Sequence, residues 1–279
     1  MPESSAGGAD RSGLICVLGD AHLDVVVRIA GPIATDTDTT ARTTLSVGGQ
    51  AANVAAWVAA VGGRSRLIAA RGTDLAAGLV HGDLAGRGVE MTGPVIDGPT
   101  GVVVALSDAG VHRSMLTDRG VGPRLTAASV DAAWLDGCAW LHLPGYSLTS
   151  MPVRGAALAA VAVARDQGAR ISVDLSSVAA ITEFGVRAFR ELLADLGPEV
   201  IFGNRAEASL VGDIPGCEIV RKLGADGVLA GGRHYPALPT TAADATGAGD
   251  AFAAGYLVGG VAVGLSAAAT AVAKIGAMP

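Results

Sequence analysis

The sequence predicts an α/β protein in which strands and helices alternate, with a small β-sheet outside the main body. Short apolar runs alternate with Ala-rich helical stretches near both ends of the chain, whereas extended segments dominate around residue 100. The composition, with 40 Gly, 50% hydrophobic and only 4% aromatic residues, predicts an interior of Ala, Val and Leu with many turns. The 279 residues suffice for one large domain with an appendage or for two small domains.

The first part of the chain shows a strand–helix pattern. Residues 14–18 form a continuous apolar run, which is typical of a buried, parallel strand. Residues 51–60 are predicted to form a helix, and the pair Gly62-Gly63 is the expected terminator. A second strand over residues 66–70 and a helix that ends near Gly86 continue the alternation.

The middle of the chain changes to extended segments. Residues 101–106 and 113–117, joined by a turn at 108–110, are predicted to form a β-hairpin. We expect this hairpin to form a small sheet with the segment 23–47, which includes a β-like run at 25–29. Such a sheet, connected to the body through two excursions of the chain, suggests a lid made of residues 23–47 and 100–118.

The strand–helix alternation resumes after residue 138. The predicted strands are 139–143, 170–174, 199–202 and one that begins at Val228, and the predicted helices are 152–167 and 182–195. Residues 251–273 carry no charged side chain and are long enough to cross a bilayer, but Gly259-Gly260 interrupts them. We therefore expect two buried helices joined by a short turn there, and no membrane span.

Charge and cysteine content exclude several functional classes. A net charge of −6 with 16% charged residues argues against affinity for nucleic acid or acidic membranes. The three cysteines are odd in number and contain no Cys-x-x-Cys pair, which argues against a disulfide framework and a thiolate zinc site. Residues 1–13 lack the features of a secretory signal and are predicted to be a disordered arm. We expect a cytoplasmic protein.

The stretch Asp244-Ala-Thr-Gly-Ala-Gly-Asp250 is a candidate anion hole with its own base. Gly247 and Gly249 lack the Cβ atoms that would keep a phosphate from the backbone, and the N-terminus of the following helix attracts negative charge. Asp250 is then placed to take a proton from an acceptor hydroxyl. The alternative is an ordinary glycine-rich turn before a helix, which is a common feature.

Polar residues also follow the first predicted strand, where open α/β sheets bind ligands. Asp20 is equally well explained as a turn or cap residue, whereas a carboxylate at Asp24, in a β-like run, is harder to explain structurally. The pair Gly48-Gly49 leads into the next helix and lets the backbone approach a ligand. Asn53, one turn inside that helix, is expected to bond the ligand or else to face neighbouring turns.

Asn204 and Glu207 begin a helix at the carboxyl end of another predicted strand. With a spacing of three they could share one face and organise hydrated Mg²⁺. The alternative is purely structural, with Asn204 as the helix N-cap and Glu207 as its capping-box partner. Further along, the segment from Lys222 to Gly224 turns out of a strand.

Four motifs together resemble those of the ribokinase, or PfkB, family of sugar and nucleoside kinases. The stretch 244–255 is similar to the C-terminal signature of that family at every position except the second, which is usually Thr and is Ala245 here. Gly48-Gly-Gln-Ala-Ala-Asn53 resembles the N-terminal signature, Asn204-Arg-Ala-Glu207 the Asn-x-x-Glu motif, and Lys222-Leu-Gly224 the nucleotide loop. The order and rough spacing agree from about residue 14 to the end, which is far more specific than any one motif.

The resemblance implies a ribokinase-like three-layer α/β/α domain over residues 14–279, with a mainly parallel central sheet, a small β-sheet lid, and ATP-dependent phosphorylation of a hydroxymethyl group. It implies that Asp250 is the general base and that Gly247, Ala248 and Gly249 form the anion hole. The implied acceptor contacts are Asp24, Gly48, Gly49 and Asn53. The implied nucleotide contacts are Asn204, Lys222 and Gly224; Glu207 would hold Mg²⁺ through water, and Asp244 and Thr246 match the neighbourhood of a monovalent cation such as K⁺.

The acceptor is open at this point. A small sugar is the first hypothesis. A nucleoside such as pseudouridine is the second, because the N-terminal signature lacks the Lys that ribokinases carry after the glycine pair and His22 stands where they have Asn. A binding sensor without turnover is the third. An open edge of the lid also favours a homodimer. One departure is the interval from Asn204 to Lys222, which is much shorter than usual and predicts a trimmed nucleotide side or a gap in the sequence.

Overall fold

The computed structural model describes residues 13–107 and 113–279. Within these residues, the chain forms a nine-stranded sheet between two layers of helices and a separate four-stranded sheet. The predicted three-layer α/β/α architecture with a lid is confirmed. Most of the predicted disordered arm, residues 1–12, and the predicted turn at 108–110 lie outside the described residues.

The strands of the two sheets interleave along the chain. In order they are β1 (Leu14–Leu18), β2 (His22–Ile29), β3 (Ala41–Gly48), β4 (Ser65–Ile68), β5 (Val89–Thr92), β6 (Thr100–Ser107), β7 (Arg113–Gly120), β8 (Cys138–Pro144), β9 (Arg170–Asp174), β10 (Val200–Asn204), β11 (Glu218–Lys222), β12 (Val228–Ala230) and β13 (Arg233–Tyr235). The central sheet has the order β13-β12-β11-β10-β9-β8-β1-β4-β5. Its strands from β11 to β5 are parallel, and β12 and β13 extend the β11 edge in antiparallel fashion.

Helices cover both faces of the central sheet. They are α1 (Gln50–Ala60), α2 (Leu75–Gly86), α3 (Tyr146–Thr149), α4 (Val153–Asp166), α5 (Val178–Phe184), α6 (Val186–Leu196), α7 (Arg205–Val211) and α8 (Ala248–Val272). Side chains of α1, α2 and α8 form the core on one face, and side chains of α4 to α7 form it on the other. Every residue of β1 is buried, as the continuous apolar run predicts for a strand covered on both sides.

The apolar stretch near the C-terminus is a bent core helix. The two segments of α8 meet at Gly259 and Gly260, whose backbone angles are not helical. After the bend the chain folds back so closely that a Cβ atom on Gly255 would lie 2.7 Å from the carbonyl oxygen of Val263. By length and composition this helix could span a membrane, but its bend and its packing against the sheet agree with the predicted pair of buried helices.

The second sheet is the predicted lid. Its strand order is β3-β2-β6-β7, with β2 and β6 parallel in the middle and an antiparallel strand on either side. Leu45, Val25, Val104 and Leu116 are aligned in one row across the four strands. Leu45 and Leu116, on the two edge strands, are 60% and 56% exposed, so this row ends in apolar side chains that the described residues leave uncovered.

Two predicted boundaries are wrong. The helix predicted over 182–195 is two helices, because Gly185 adopts a φ of 100° and separates α5 from α6. The β-like run predicted from Val25 begins earlier, at His22, so Asp24 lies inside β2. A carboxylate within a strand must be accommodated by its neighbours.

The short interval between Asn204 and Lys222 forms a closed strand–helix–strand unit. It contains α7 and a short loop, and β10 and β11 pair in parallel from Val200 opposite Glu218 to Asn204 opposite Lys222. This short interval is therefore compact, and the ends of the two strands lie side by side.

An aromatic cluster fixes α8 against the centre of the sheet. The ring of Phe202 on β10 is fully buried, with its centroid 5.2 Å from that of Tyr256 and 6.3 Å from that of Phe252, both on α8. Both pairs are edge-to-face, the arrangement that aromatic quadrupoles favour. The ring of His142 on β8 completes the cluster, with its centroid 6.0 Å from that of Phe202.

We expect Phe202→Ala to lower the free energy of unfolding by about 3–5 kcal/mol, because it leaves a cavity between β10 and α8. Urea denaturation followed by circular dichroism measures this change. Leu158→Ala on α4 is the control, since Leu158 is 40% exposed and should cost about 0.5 kcal/mol or less. Equal losses in the two variants would contradict the role given to the cluster.

Candidate active site

A cavity of about 860 Å³ opens at the carboxyl ends of the central strands. Its walls come from the starts of α1 and α8, the ends of β9, β10 and β11, and the loop before α8. The polar and charged side chains that line it are Gln50, Asn53, Tyr146, Asp174, Ser176, Asn204, Glu207, Lys222, Thr240 and Asp250. The volume and position are those of a small-molecule site in an α/β protein.

The N-terminus of α8 presents free amide groups to this cavity. Gly247 is the N-cap, and the amide of Ala251 donates to its carbonyl oxygen at 2.9 Å, the first regular bond of the helix. The amides of Gly249 and Asp250 precede that bond, so helical geometry gives them no partner within α8. Together with the positive end of the helix dipole, they make a site for an anion.

Both glycines of this turn lie in close contacts, and the tighter one is at Gly247. Gly247 has a φ of 77°, and a Cβ atom there would lie 2.6 Å from the Cα atom of Ala277 in the C-terminal segment. A Cβ atom on Gly249 would lie 3.2 Å from the ammonium nitrogen of Lys222. Larger residues at either position would therefore displace the elements that surround the anion site.

Asp250, in the first turn of α8, is held by side chains from α1. Its Oδ2 atom accepts a hydrogen bond from Nδ2 of Asn53 at 2.8 Å, and the side chain of Gln50 makes a second one. Burial, and after it the negative charge of Asp174, raises the pKa of Asp250 to about 7. The two hydrogen bonds and the charge of Lys222 act in the opposite direction. The carboxylate is therefore poised to gain or lose a proton near neutral pH.

The amide oxygens of Gln50 and Asn53 point to a ligand rich in donors. Gln50 Oε1 and Asn53 Oδ1 are buried and have no hydrogen-bond partner in the part of the chain that the structure describes. Both residues line the cavity. A buried acceptor without a partner is costly, so a bound molecule with hydroxyl groups would satisfy both atoms.

The glycine pair before α1 accommodates the carboxylate of Asp24. A Cβ atom on Gly48 would lie 2.3 Å from Oδ2 of Asp24, so only glycine fits beside this carboxylate. Gly49 is the N-cap of α1 with a φ of 103°, a left-handed conformation that favours glycine. The other oxygen of Asp24 lies 3.1 Å from Nε2 of His22. Gly48 and Gly49 directly precede Gln50 in the chain, at the junction between the lid and the body.

Asp174 is the charged residue of the cavity to which no sequence motif assigned a role. It ends β9, its side chain is only 2% exposed, and one of its oxygens accepts a hydrogen bond from the ammonium group of Lys222, the last residue of β11. Burial lowers the pKa of Lys222, but the neighbouring carboxylates, Asp174 first, raise it by more. The ammonium group therefore keeps its charge. The sequence feature that could have indicated Asp174 is its position, as a carboxylate, at the end of the predicted strand 170–174.

Asn204 and Glu207 form the predicted capping box and also line the cavity. Oδ1 of Asn204 accepts from the amide of Glu207 at 3.0 Å, and Oε2 of Glu207 accepts from the amide of Asn204 at 2.8 Å. Burial is the main cause that raises the pKa of Glu207, and the charge of Asp174 adds to it. The predicted capping box is therefore present, and both side chains also lie at the cavity wall.

The remaining predicted site residues lie around this centre. Gly224, with a φ of 65°, lines the cavity beyond the end of β11. Asp244 lies behind the anion site, where its Oδ1 atom accepts from the amide and the hydroxyl of Thr246 and its Oδ2 atom accepts from the amide of Gly276. Asp244 thus ties the turn before α8 to the C-terminal segment.

The chain is similar to known kinases over almost its whole length. The model of the pfkB family of carbohydrate kinases matches residues 12–278. The fructokinase of Escherichia coli is 28% identical over 91% of this chain and 87% of its own length. The ATP-dependent ribose-1-phosphate kinase of Halopiger xanaduensis is 29% identical over 88% of this chain and 84% of its own length.

Solved structures share the fold. The adenosine kinase of Sinorhizobium meliloti superimposes with a TM-score of 0.83 at 22% identity, covering 97% of this chain and 96% of its own. A protein of Escherichia coli described as a ribokinase II, solved with ATP and Mg²⁺, gives a TM-score of 0.81 at 21% identity, covering 95% and 94%. The family match together with this fold confirms the resemblance seen in the four motifs. The chain belongs to the pfkB family of carbohydrate kinases, phosphotransferases with an alcohol group as acceptor.

Proposed function

We propose that this kinase transfers the γ-phosphate of ATP to a hydroxymethyl group of a small sugar, in the cytoplasm, with Asp250 as the general base. The observation that carries the proposal is the position of Asp250. Its carboxylate lies in the first turn of α8, beside free amides that attract an anion, and is oriented by Asn53 from a second helix. A proton acceptor and an anion site thus share one turn of the chain.

The proton affinity of Asp250 suits this role. A general base is most effective when its pKa lies near the working pH, because it is then both deprotonated and able to hold a proton. The raised pKa, about 7, meets that condition. Phosphoryl transfer depends mainly on positioning and on charge stabilisation, so the hydroxyl needs only a correctly placed acceptor for its proton.

Gly247, Ala248 and Gly249 are proposed to form the anion hole for the transferring phosphoryl group. Backbone amides at a helix N-terminus are fixed before the reaction, so they stabilise developing charge without reorganisation. The close contacts at Gly247 and Gly249 hold this turn in place from both sides. The C-terminal segment at Ala277 supports one side and Lys222 the other.

The nucleotide is proposed to bind along the ends of β10 and β11, against Asn204, Lys222 and Gly224. Glu207 and Asn204 offer oxygen atoms at the cavity wall, which is the donor type that Mg²⁺ prefers. Within the described residues no group of three or more His, Cys, Asp or Glu side chains could hold a metal ion. Glu207 would hold Mg²⁺ through water together with the phosphates of the nucleotide, and the metal would supply positive charge that neutralises those phosphates.

Two further ligands complete the proposal. The acceptor is proposed to contact Asp24, Gly48, Gly49 and Asn53. Its hydroxyl groups would donate to the buried amide oxygen of Asn53, and a small sugar has many such groups.

K⁺ is proposed to bind near Asp244 and Thr246, which lie behind the anion hole and offer oxygen atoms. A nucleoside acceptor is the second candidate, because Tyr146 places an aromatic ring at the cavity wall.

We expect MgATP-dependent phosphorylation of at least one neutral sugar in a panel of sugars and nucleosides, assayed by ADP release in K⁺ and in Na⁺ buffers. Asp250→Asn should lower kcat by about 10²–10⁴, since the amide cannot take the proton. The variant should still bind ATP. Turnover of nucleosides alone would favour the second candidate, ligand binding without any turnover would favour a sensor, and full activity of Asp250→Asn would refute the assigned base.

The activity should rise with pH on the acid side. Because Asp250 acts as a base only when deprotonated, kcat/KM should increase through an apparent pKa of about 7 and level off above it. In the wild type, the hydrogen bond from Asn53 lowers the pKa of Asp250. Asn53→Ala removes this bond, so the rise of kcat/KM on the acid side should move to higher pH. Initial rates between pH 5 and 9 measure both. An acid limb that stays in place in the variant would contradict this assignment.

We also propose that the lid mediates a homodimer. The row that ends at Leu45 and Leu116 is apolar, and the open edges of the lid are β3 and β7. Sedimentation equilibrium should give twice the chain mass of 27.5 kDa. Leu45→Lys combined with Leu116→Lys should shift the protein to monomer, whereas Leu79→Lys, at an exposed position on α2, should not. A monomeric wild type would rule the dimer out.

A further inference from the structure

We infer that Lys222 contacts the γ-phosphoryl group during transfer and is a catalytic residue, not only a residue along the nucleotide. The inference rests on the proposed kinase function and concerns the same cavity. It is carried by the position of the ammonium group and by the charges around it.

The ammonium group of Lys222 lies at the anion hole. Its nitrogen would be 3.2 Å from a Cβ atom on Gly249, and its Cδ and Cε atoms would be 3.7 Å away. The end of the Lys222 side chain therefore packs against the first turn of α8. A phosphoryl group in the proposed anion hole, at the amide of Gly249, would lie within reach of this ammonium group.

Lys222 is the single basic residue among the described residues that line the cavity, and it faces three acidic ones. It is hydrogen-bonded to Asp174, and its charge also interacts with Asp250 and Glu207. A phosphoryl group would be repelled by three carboxylates in this space. The fixed ammonium group opposes that repulsion at the point where the negative charge develops.

The ammonium group is also preorganised. Its side chain is 15% exposed and the carboxylate of Asp174 is 2% exposed, so little water surrounds the pair. Electrostatic interactions are stronger in such surroundings than in water. Asp174 holds the ammonium group in place before any ligand arrives, and it acts here as a positioning residue.

A purely structural role is the alternative, in which Lys222 only neutralises the buried Asp174. The two roles differ in their effect on nucleotides. A contact to the γ-phosphoryl group matters for a nucleotide with three phosphates and is absent for one with two. A structural counter-ion affects both nucleotides alike.

The test measures the dissociation constants of the magnesium complexes of AMP-PNP, a non-hydrolysable ATP analogue, and of ADP by isothermal titration calorimetry on the full chain. In Lys222→Met the affinity for AMP-PNP should fall about 10- to 100-fold more than that for ADP, since a charge-assisted hydrogen bond is lost. Lys222→Arg should keep most of the preference. Arg221→Met is the matched control, because Arg221 is the preceding residue of β11 and pairs with Asp213 instead.

A second variant covers the case in which Lys222→Met leaves Asp174 unpaired and fails to fold. Asp174→Asn combined with Lys222→Met removes both charges, and it should lose the same preference for AMP-PNP. Equal losses of affinity for AMP-PNP and ADP, or an unchanged preference for AMP-PNP in the double variant, would overturn this inference but not the kinase proposal. A wild type that binds neither nucleotide would overturn the kinase proposal and this inference with it.

With an acceptor that the wild type phosphorylates, Lys222→Met should lower kcat by about 10²-fold, as expected for loss of one donor to the transition state. The KM for the acceptor should stay within a few-fold of the wild-type value. A rise in the acceptor KM with an unchanged kcat would contradict a contact to the transferring group.

Discussion

The hydrogen bond from Asn53 to Asp250 is the contact on which the site depends. It joins the N-terminal parts of two helices, α1 and α8, that lie on the same face of the sheet and are far apart in the chain. Both helices are rich in small residues near their starts, and Ala51, Ala52, Ala55, Ala251 and Ala254 are all completely buried in the core that the two helices share. Larger side chains there would separate the helices and break the bond. The Ala-rich composition therefore serves the geometry of the site as well as the packing of the core.

A second constraint is the balance of charge at the strand ends. Three carboxylates, Asp174, Glu207 and Asp250, share one cavity with one ammonium group, Lys222. The pKa of Glu207 and that of Asp250 are both raised. Burial is the largest cause in each case, and the negative charge of Asp174 raises both pKa values further. A negatively charged cavity of this kind needs cations to accept a polyphosphate. The excess of carboxylates is therefore consistent with a nucleotide that enters together with Mg²⁺, and with a lysine fixed between base and nucleotide.

Sequence patterns predicted the parts of the site that are local in the chain. The proposed anion hole and Asp250 lie in one turn, the capping box spans Asn204 to Glu207, and β1 is a continuous apolar run. The pair of Asp174 and Lys222 was not predictable, because 48 residues separate them and only the order β9-β10-β11 brings their ends together. Periodicity indicates that strands exist but not which strands are neighbours. The break at Gly185 was missed for a related reason, since a glycine inside a helical pattern does not reveal its φ angle.

The lid and the helix that holds Asp250 through Asn53 are adjacent in the chain, and two glycines, Gly48 and Gly49, form the junction between them. β3 ends at Gly48, Gly49 caps α1, and Asn53 follows within one turn. The carboxylate of Asp24, from the neighbouring lid strand, occupies the space that a side chain at Gly48 would take. A displacement of β2 relative to β3 would therefore press directly on the residue before the cap of α1. Because interiors packed this closely transmit strain instead of absorbing it, the positions of the lid and of Asp250 are mechanically connected through these few residues.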